Sequence, residues 1–208
     1  MKVTRIEELT KSRSKVYIDE EFAFVLYKGE LRQYKLVPGE EVQPEDYETI
    51  MTQILPKRAK LRAMNLLKNK EYTVKQLRDK LQEGGYPECV IKEALDYVAG
   101  FHYTDDLRYA VAFITCHENT RSRRRMEQDL IGRGIDRDTL EQAWSEWEEQ
   151  GGRQDEQAMI WELLEKRGFD PEKADMKERQ RQGAFLMRRG FSGEQICKAL
   201  FGGGYDDD

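Results

Sequence analysis

Arg121-Ser122-Arg123-Arg124-Arg125 sets four guanidiniums around one serine, just before Met126 and Leu130 begin an apolar helical face. A guanidinium is a planar fork of donors that fits a carboxylate or a phosphate through paired hydrogen bonds. A helix start carries partial positive charge and prefers acids. Four arginines there have an energetic cost unless an anion or an acidic surface offsets it. Arg108 on the preceding predicted helix and Arg133 near the end of this one can flank the same groove. A second basic stretch, residues 57–80, holds Lys57, Arg58, Lys60 and Arg62 among nine Lys/Arg, against Glu71 and Asp79 alone. Residues 138–172 reverse the sign, with eleven Asp/Glu against Arg153, Lys166 and Arg167. Within a net charge of −5, such separation points to polarised partner binding; solvated helix faces are the bland alternative for either block.

Nothing else in the chain assembles into a reaction centre. His102 and His117 have no second ligand three or four residues away, so no metal site is expected. Cys116 and His117 are adjacent, which on a helix turns them to different faces and argues against a nucleophile–base pair. Asp105-Asp106 reads as a helix cap and dipole partner. Gly202-Gly203-Gly204 has no Lys-Ser/Thr after it, so it is not a phosphate loop but part of a tail, disordered towards Asp208. A non-enzyme without a cofactor is the expectation. No run approaches ~18 apolar residues, and Met1-Lys2-Val3-Thr4-Arg5 leads into a polar segment rather than a secretory one. Cys89, Cys116 and Cys197 form no C-x-x-C pattern and read as buried structural thiols of a cytoplasmic protein.

A repeat positions these residues. Counting from Gly85, Gly134 and Gly190, a leucine lies four residues back in each case: Leu81, Leu130 and Leu186. Tyr86, Ile135 and Phe191 follow the glycines; Ile91, Leu140 and Ile196 come six residues on, and Ala94, Ala143 and Ala199 nine on. Leu95, Trp144 and Leu200 complete the set at ten, and the copies are 49 and 56 residues apart. Each copy reads as an apolar helix closed by a left-handed glycine, an apolar residue folding back on it, and a second helix. Asp136 and Ser192 hold the N-cap position, Ser192 with Gln195 as a capping box, and Pro87 stands at the same offset. The alanine lets a neighbouring helix approach closely. Ala63, Ala110 and Ala158, 47 and 48 residues apart, extend the repeat to a first helix.

The predicted fold is mainly α: three tandem three-helix repeats in an elongated stack, preceded by a small β-hairpin module. A charged fraction of 36% and a mean hydropathy of −0.84 agree with much exposed surface. Residues 1–43 form the β module, with Val16–Ile18 and Phe22–Tyr27 paired around Asp19-Glu20-Glu21 and Val3–Ile6 as an edge strand. Phe22, Phe24 and Leu26 face one way. The turn lacks Asn-Gly or Asp-Gly, and so few strands need the helices to pack on. Residues 44–103 form a linker helix and the first triplet, broken at Pro56, with Leu61, Met64, Leu66 and Leu67 inward; Thr73 and Gln76 make another capping box. Residues 104–150 form the second triplet and 151–208 the third, with an acidic tail.

Gly100-Phe101-His102-Tyr103-Thr104-Asp105-Asp106-Leu107-Arg108-Tyr109-Ala110 and Arg121–Ile135, with the triple pattern over residues 57–201, resemble the RecX family of bacterial regulatory proteins. The family usually has Lys-Gly-Ile where Arg133-Gly134-Ile135 stands, a glycine where Ser122 stands, and Asp-Gly in the hairpin turn where Glu20-Glu21 departs. The resemblance implies an elongated, curved stack of these repeats: a monomeric, non-enzymatic modulator lodged in the groove of the RecA–single-stranded DNA filament, lowering its growth, ATP hydrolysis, strand exchange and co-protease action. It makes Arg108, Arg121, Arg123, Arg124, Arg125 and Arg133 candidate contacts to the recombinase or its DNA, with Lys57, Arg58, Lys60 and Arg62 as a second set. A direct single-stranded nucleic-acid binder using the same arginines is the rival, although residues 118–134 hold no aromatic for base stacking.

Overall fold

The computed structural model describes residues 1–202. The acidic tail beyond Gly202, expected to be disordered, lies outside the described residues. β1 (Val3–Glu8), β2 (Arg13–Ile18) and β3 (Glu21–Tyr27) form an antiparallel sheet in that order. Ile18 pairs with Glu21, so the turn between β2 and β3 has two central residues, Asp19 at φ 48° and Glu20 at φ 71°. Left-handed backbone at both is what a primed hairpin turn needs to match strand twist. Without glycine the turn is held by added hydrogen bonds: Asp19 Oδ1 accepts from the Lys2 N–H at 2.9 Å, and the Glu20 N–H donates to Thr4 Oγ1 at 3.1 Å. Glu20→Gly should raise stability by about 0.5–1 kcal/mol, strain relief less the entropy of a freer unfolded chain. A higher urea midpoint at unchanged slope would show it.

The chain returns along the outer edge of β1, with Val3 N–H bonded to Glu40 O and Val42 N–H to Met1 O, each at 2.9 Å. Between these lies a short helix that the sequence pattern did not announce, α1 (Lys28–Gln33), closed at its start by the Glu30 carboxylate on the Tyr27 N–H. Phe24 and Leu26 are buried, but Phe22 is exposed at the end of the strand, where it meets Tyr17 edge-on. The opposite face is covered as well: Val25 packs on the Gly85 turn so closely that an added Cβ there would lie 2.2 Å from Val25 Cγ2.

The expected break at Pro56 does not occur. α2 (Pro44–Thr49) passes through one π-helical turn, Ile50–Ile54, directly into α3 (Leu55–Leu67). A proline ring presses on the carbonyl four residues back and leaves it without a donor. The wider turn just upstream moves that carbonyl aside, so the helix continues. The face expected to turn inward on α3 is only half right: Leu66 and Leu67 pack against the core, but Leu61 and Met64 are exposed and Leu55, Ala59 and Ala63 are fully buried instead. Small residues belong there because α3 lies along α5 (Glu88–Gly100), whose Ala94 is buried too. α4 (Val74–Glu83) completes the first triplet behind the Thr73–Gln76 capping box.

α6 (Asp106–His117), α7 (Arg123–Gly132) and α8 (Arg137–Glu149) form the second triplet; α9 (Glu156–Glu165), α10 (Met176–Arg188) and α11 (Gly193–Phe201) form the third. Gly85, Gly134 and Gly190 have φ of 79°, 93° and 91°. After each, the next N–H reaches back to the leucine carbonyl: Tyr86 to Leu81 at 3.4 Å, Ile135 to Leu130 at 3.1 Å and Phe191 to Leu186 at 3.3 Å. These are Schellman closures, which satisfy carbonyls that a helix end leaves open. The three leucines and the three alanines of the repeat are fully buried.

Ala158 lies in the first turn of α9, as the repeat predicts, but is exposed, since Ile160 and Leu164 supply the inward row. The expectation for the cysteines fails. Cys89, Cys116 and Cys197 are exposed free thiols, each lying one position off the buried row of its helix. One residue is a rotation of ~100° on a helix, enough to carry a side chain from core to water. The chain forms two compact units, Met1–Asp105 and a second starting at Asp106. The β module shares one core with the first triplet; the second and third triplets have their own.

Candidate functional site

Within the second unit, α7 starts at Ser122, which is fully buried and works in two directions. Its Oγ accepts the Arg125 N–H at 3.3 Å, the N-cap bond, and donates to the Arg189 carbonyl at 2.8 Å. The closing turn of α10 is therefore fastened to the opening turn of α7, joining the third repeat to the second. A Cβ on Gly190 would lie 2.6 Å from Ser122 Oγ and 3.2 Å from the Arg125 amide nitrogen, so the joint needs glycine.

Beside this joint is a pocket of about 410 Å³ lined by Arg121, Arg125, Arg133, Arg188 and Arg189, with Asp129 the one acid. Asp129 spans two of the guanidiniums, Oδ2 at 2.6 Å from Arg121 and Oδ1 at 3.3 Å from Arg125. Arg133 donates to the Tyr109 hydroxyl at 2.6 Å and lies 4.8 Å over the Phe113 ring, beside Arg121 at 5.5 Å. Arg189 stacks over Phe185 at 4.8 Å. Arg188 is exposed and has no ion pair among the described residues.

The predicted arginines thus divide. Arg121, Arg125 and Arg133 come together in the pocket. Arg123 turns the other way, over the Trp144 ring at 4.3 Å, with Glu127 at 3.2 Å and Glu148 at 3.4 Å. Arg124 is exposed with no ion pair among the described residues, and Arg108 is exposed on α6. In the first unit, Arg58 is tied to Glu30 and to the Val25 carbonyl beneath the Tyr27 ring. Lys60 pairs with Glu93 at 2.7 Å, and Lys57 and Arg62 are exposed.

Arg188 and Arg189 were missed, although the repeat contained the signal: Arg189 precedes Gly190 as Arg133 precedes Gly134. The cost of arginines at a helix start also has an internal answer. Glu156 Oε1 accepts the Arg123 N–H at 2.5 Å and its Oε2 accepts from Gln195 at 2.8 Å, which places an acid from the 138–172 block against the α7 amides. Gln154 donates to the carbonyls of Glu118 and Arg121, both at 2.6 Å, sealing the turn before α7. Among the described residues no group of three His, Cys, Asp or Glu could hold a metal ion. No helix there is long and apolar enough to cross a membrane. The site as built can hold an anion by several guanidiniums at once.

The family description "RecX, first three-helix domain" matches residues 59–97, and "RecX, third three-helix domain" matches residues 154–200. Regulatory protein RecX of Caldanaerobacter subterraneus subsp. tengcongensis is 32% identical over 202 residues, covering 96% of this chain and 98% of that protein. Regulatory protein RecX of Clostridioides difficile is 26% identical over 203 residues, covering 95% and 93%. A crystal structure of regulatory protein RecX shares the fold at a TM-score of 0.60 and 23% identity, covering 96% of this chain and 98% of that one. With identity above 30% over nearly its whole length, and with the repeat and its capped turns in place, this chain belongs to the RecX family of regulatory proteins.

Proposed function

We propose that the chain binds the RecA recombinase filament and inhibits its growth, lowering ATP hydrolysis, strand exchange and co-protease action, and so acts in DNA recombination, repair and the SOS response. It does this as a cytoplasmic monomer without a cofactor. The observation that carries the reading is the gathering of Arg121, Arg125, Arg133, Arg188 and Arg189 around one pocket. Such a surface suits an acidic protein face or a nucleic-acid backbone, and a recombinase filament offers both. Arg123 and Arg124 stand at the start of α7 and Arg108 on α6, and all three would add contacts, with Lys57, Arg58, Lys60 and Arg62 as a second set from the first unit.

DNA-dependent ATP hydrolysis by the cognate recombinase, titrated with this protein, tests the reading. The native chain should inhibit. Arg124→Ala/Arg125→Ala should inhibit at least about tenfold less well, since each buried charge contact at an interface is worth about 1.4 kcal/mol or more. Its melting temperature should move little, because surface ion pairs contribute about 0–1 kcal/mol. Unchanged hydrolysis at saturating native protein would sink the proposal. The surplus positive charge of the pocket supports one other reading, direct single-strand binding; tight, salt-steep binding to DNA with unaltered hydrolysis would select it.

A further inference from the structure

An apolar face of the first unit lies uncovered among the described residues. On α3, Lys57, Leu61, Met64 and Lys68 share one face, opposite the buried Ala59 and Ala63. Leu61 exposes 54% of its surface and Met64 37%. At the end of α5, Tyr97, Phe101 and Tyr103 form a run of exposed rings with centroids 5.0 Å and 5.8 Å apart. Met64, Leu67 and Tyr103 wall a cavity of about 390 Å³ where the two groups meet. Contiguous apolar surface of this kind, rimmed by charge, marks an interaction site. We propose that it docks an amphipathic helix of a protein partner, whose apolar side chains enter the cavity and lie along the rings and whose carboxylates flank them. Such a contact is separate from the arginine pocket and goes beyond the function proposed above.

The rings are fixed by backbone. His102 takes φ 55°, the left-handed conformation that glycine supplies at the repeated turns. Its N–H donates to the Ala99 carbonyl at 2.8 Å and the Tyr103 N–H to the Val98 carbonyl at 3.0 Å, the closure seen after Gly85. In the second and third repeats the residue after the left-handed position is drawn into a core, Ile135 and Phe191 both being buried. Tyr103 holds the same place and stays 49% exposed, folded back with nothing over it among the described residues. The sign of the partner follows from the rim. Lys57 and Lys68 stand at the two ends of the α3 face, ~16 Å apart along the helix axis, exposed and in no ion pair among the described residues. Lys60 is already held by Glu93 at 2.7 Å and lies 5.2 Å from the centre of the Tyr97 ring. A helix laid along α3, with apolar residues in the middle and acids a turn or two to either side, meets both the cavity and the free lysines.

The test is fluorescence anisotropy of labelled synthetic helices with the full chain, no recombinase being present. Three helices share leucine or phenylalanine at positions i, i+3, i+4 and i+7 and differ only in the flanking residues, which are Glu, Gln or Lys. The Glu helix should bind about fivefold tighter than the Gln helix, the scale of two exposed ion pairs, and the Lys helix weakest. Met64→Ser/Tyr103→Ser should weaken the Glu helix about tenfold at an unchanged melting temperature, since both side chains are exposed. Lys57→Glu/Lys68→Glu should reverse the order so that the Lys helix binds best, a gain that damage to folding would not produce. No binding by the Glu helix, equal binding by all three, or native affinity in the serine variant would overturn the proposal, as would an unreversed order in the charge variant. Full competition by oligo(dT) would overturn it in favour of a nucleic-acid strand. A native chain that sediments as a dimer, with the serine variant a monomer, would give the face to a second copy. Because recombinase is absent, each result stands apart from whether the chain inhibits ATP hydrolysis.

Discussion

Leu130→Ala should lower the stability of the protein by about 2–5 kcal/mol, the range for a cavity left in a packed core. The Leu130 side chain is fully buried in the cluster that holds Met126, Ile135, Ala143 and Trp144. It sits one turn before the left-handed glycine, and its carbonyl accepts the Ile135 N–H at 3.1 Å. The same cluster holds the bulky indoles Trp144 and Trp147, packed edge to face at 5.4 Å, and rings of that size re-pack poorly around a lost side chain. Urea unfolding followed by circular dichroism would read the loss as a fall in midpoint at unchanged slope. A change below about 0.5 kcal/mol, the scale of an ordinary surface substitution, would place Leu130 outside the core.

Gly190→Ala should cost about 2–4 kcal/mol, from left-handed backbone strain and a collision together. The backbone is at φ 91°, and the new Cβ would meet Ser122 Oγ at 2.6 Å, where the hydroxyl is already committed to the Arg189 carbonyl. Gly168→Ala supplies the control: φ is 67° there and no atom lies within 4 Å of an added Cβ, so only the strain remains, about 1 kcal/mol. The difference between the two melting curves measures how tightly the third repeat is joined to the second. Equal losses would mean the joint yields without resistance.

Much of this was legible in the residues because the repeat states its own geometry. The left-handed glycines, the leucines before them, the N-caps Asp136 and Ser192 and the buried alanines all follow from offsets within one unit. Local chemistry of this kind can be read without knowing what packs where. The failures came where tertiary partners decide. Leu61 and Met64 look inward by composition, yet α5 takes Ala59 and Ala63 for close approach. Pro56 looks like a stop until a wider turn is placed ahead of it. The arginine run was visible, but not that Arg123 would leave it for Trp144 or that Arg188 and Arg189 would join from ~60 residues away along the chain. The departure at Ser122 also has its reason now: a serine there caps α7 and bonds the next repeat at once, which glycine could not do.

Eight residues before each repeated glycine stand Leu77, Met126 and Gln182, all fully buried. In the third copy that place is an amide, its oxygen taking a hydrogen bond from Arg167 at 2.6 Å and its nitrogen giving one to Glu178 at 2.5 Å. Such a network keeps the interior satisfied but contributes less than the hydrocarbon it replaces. Of the units compared, the one that replaces hydrocarbon with an amide at this place should therefore open most easily. Arg188 and Arg189 are carried there. Their grip on any anion would be the first to loosen, and release would need only partial melting of that one unit.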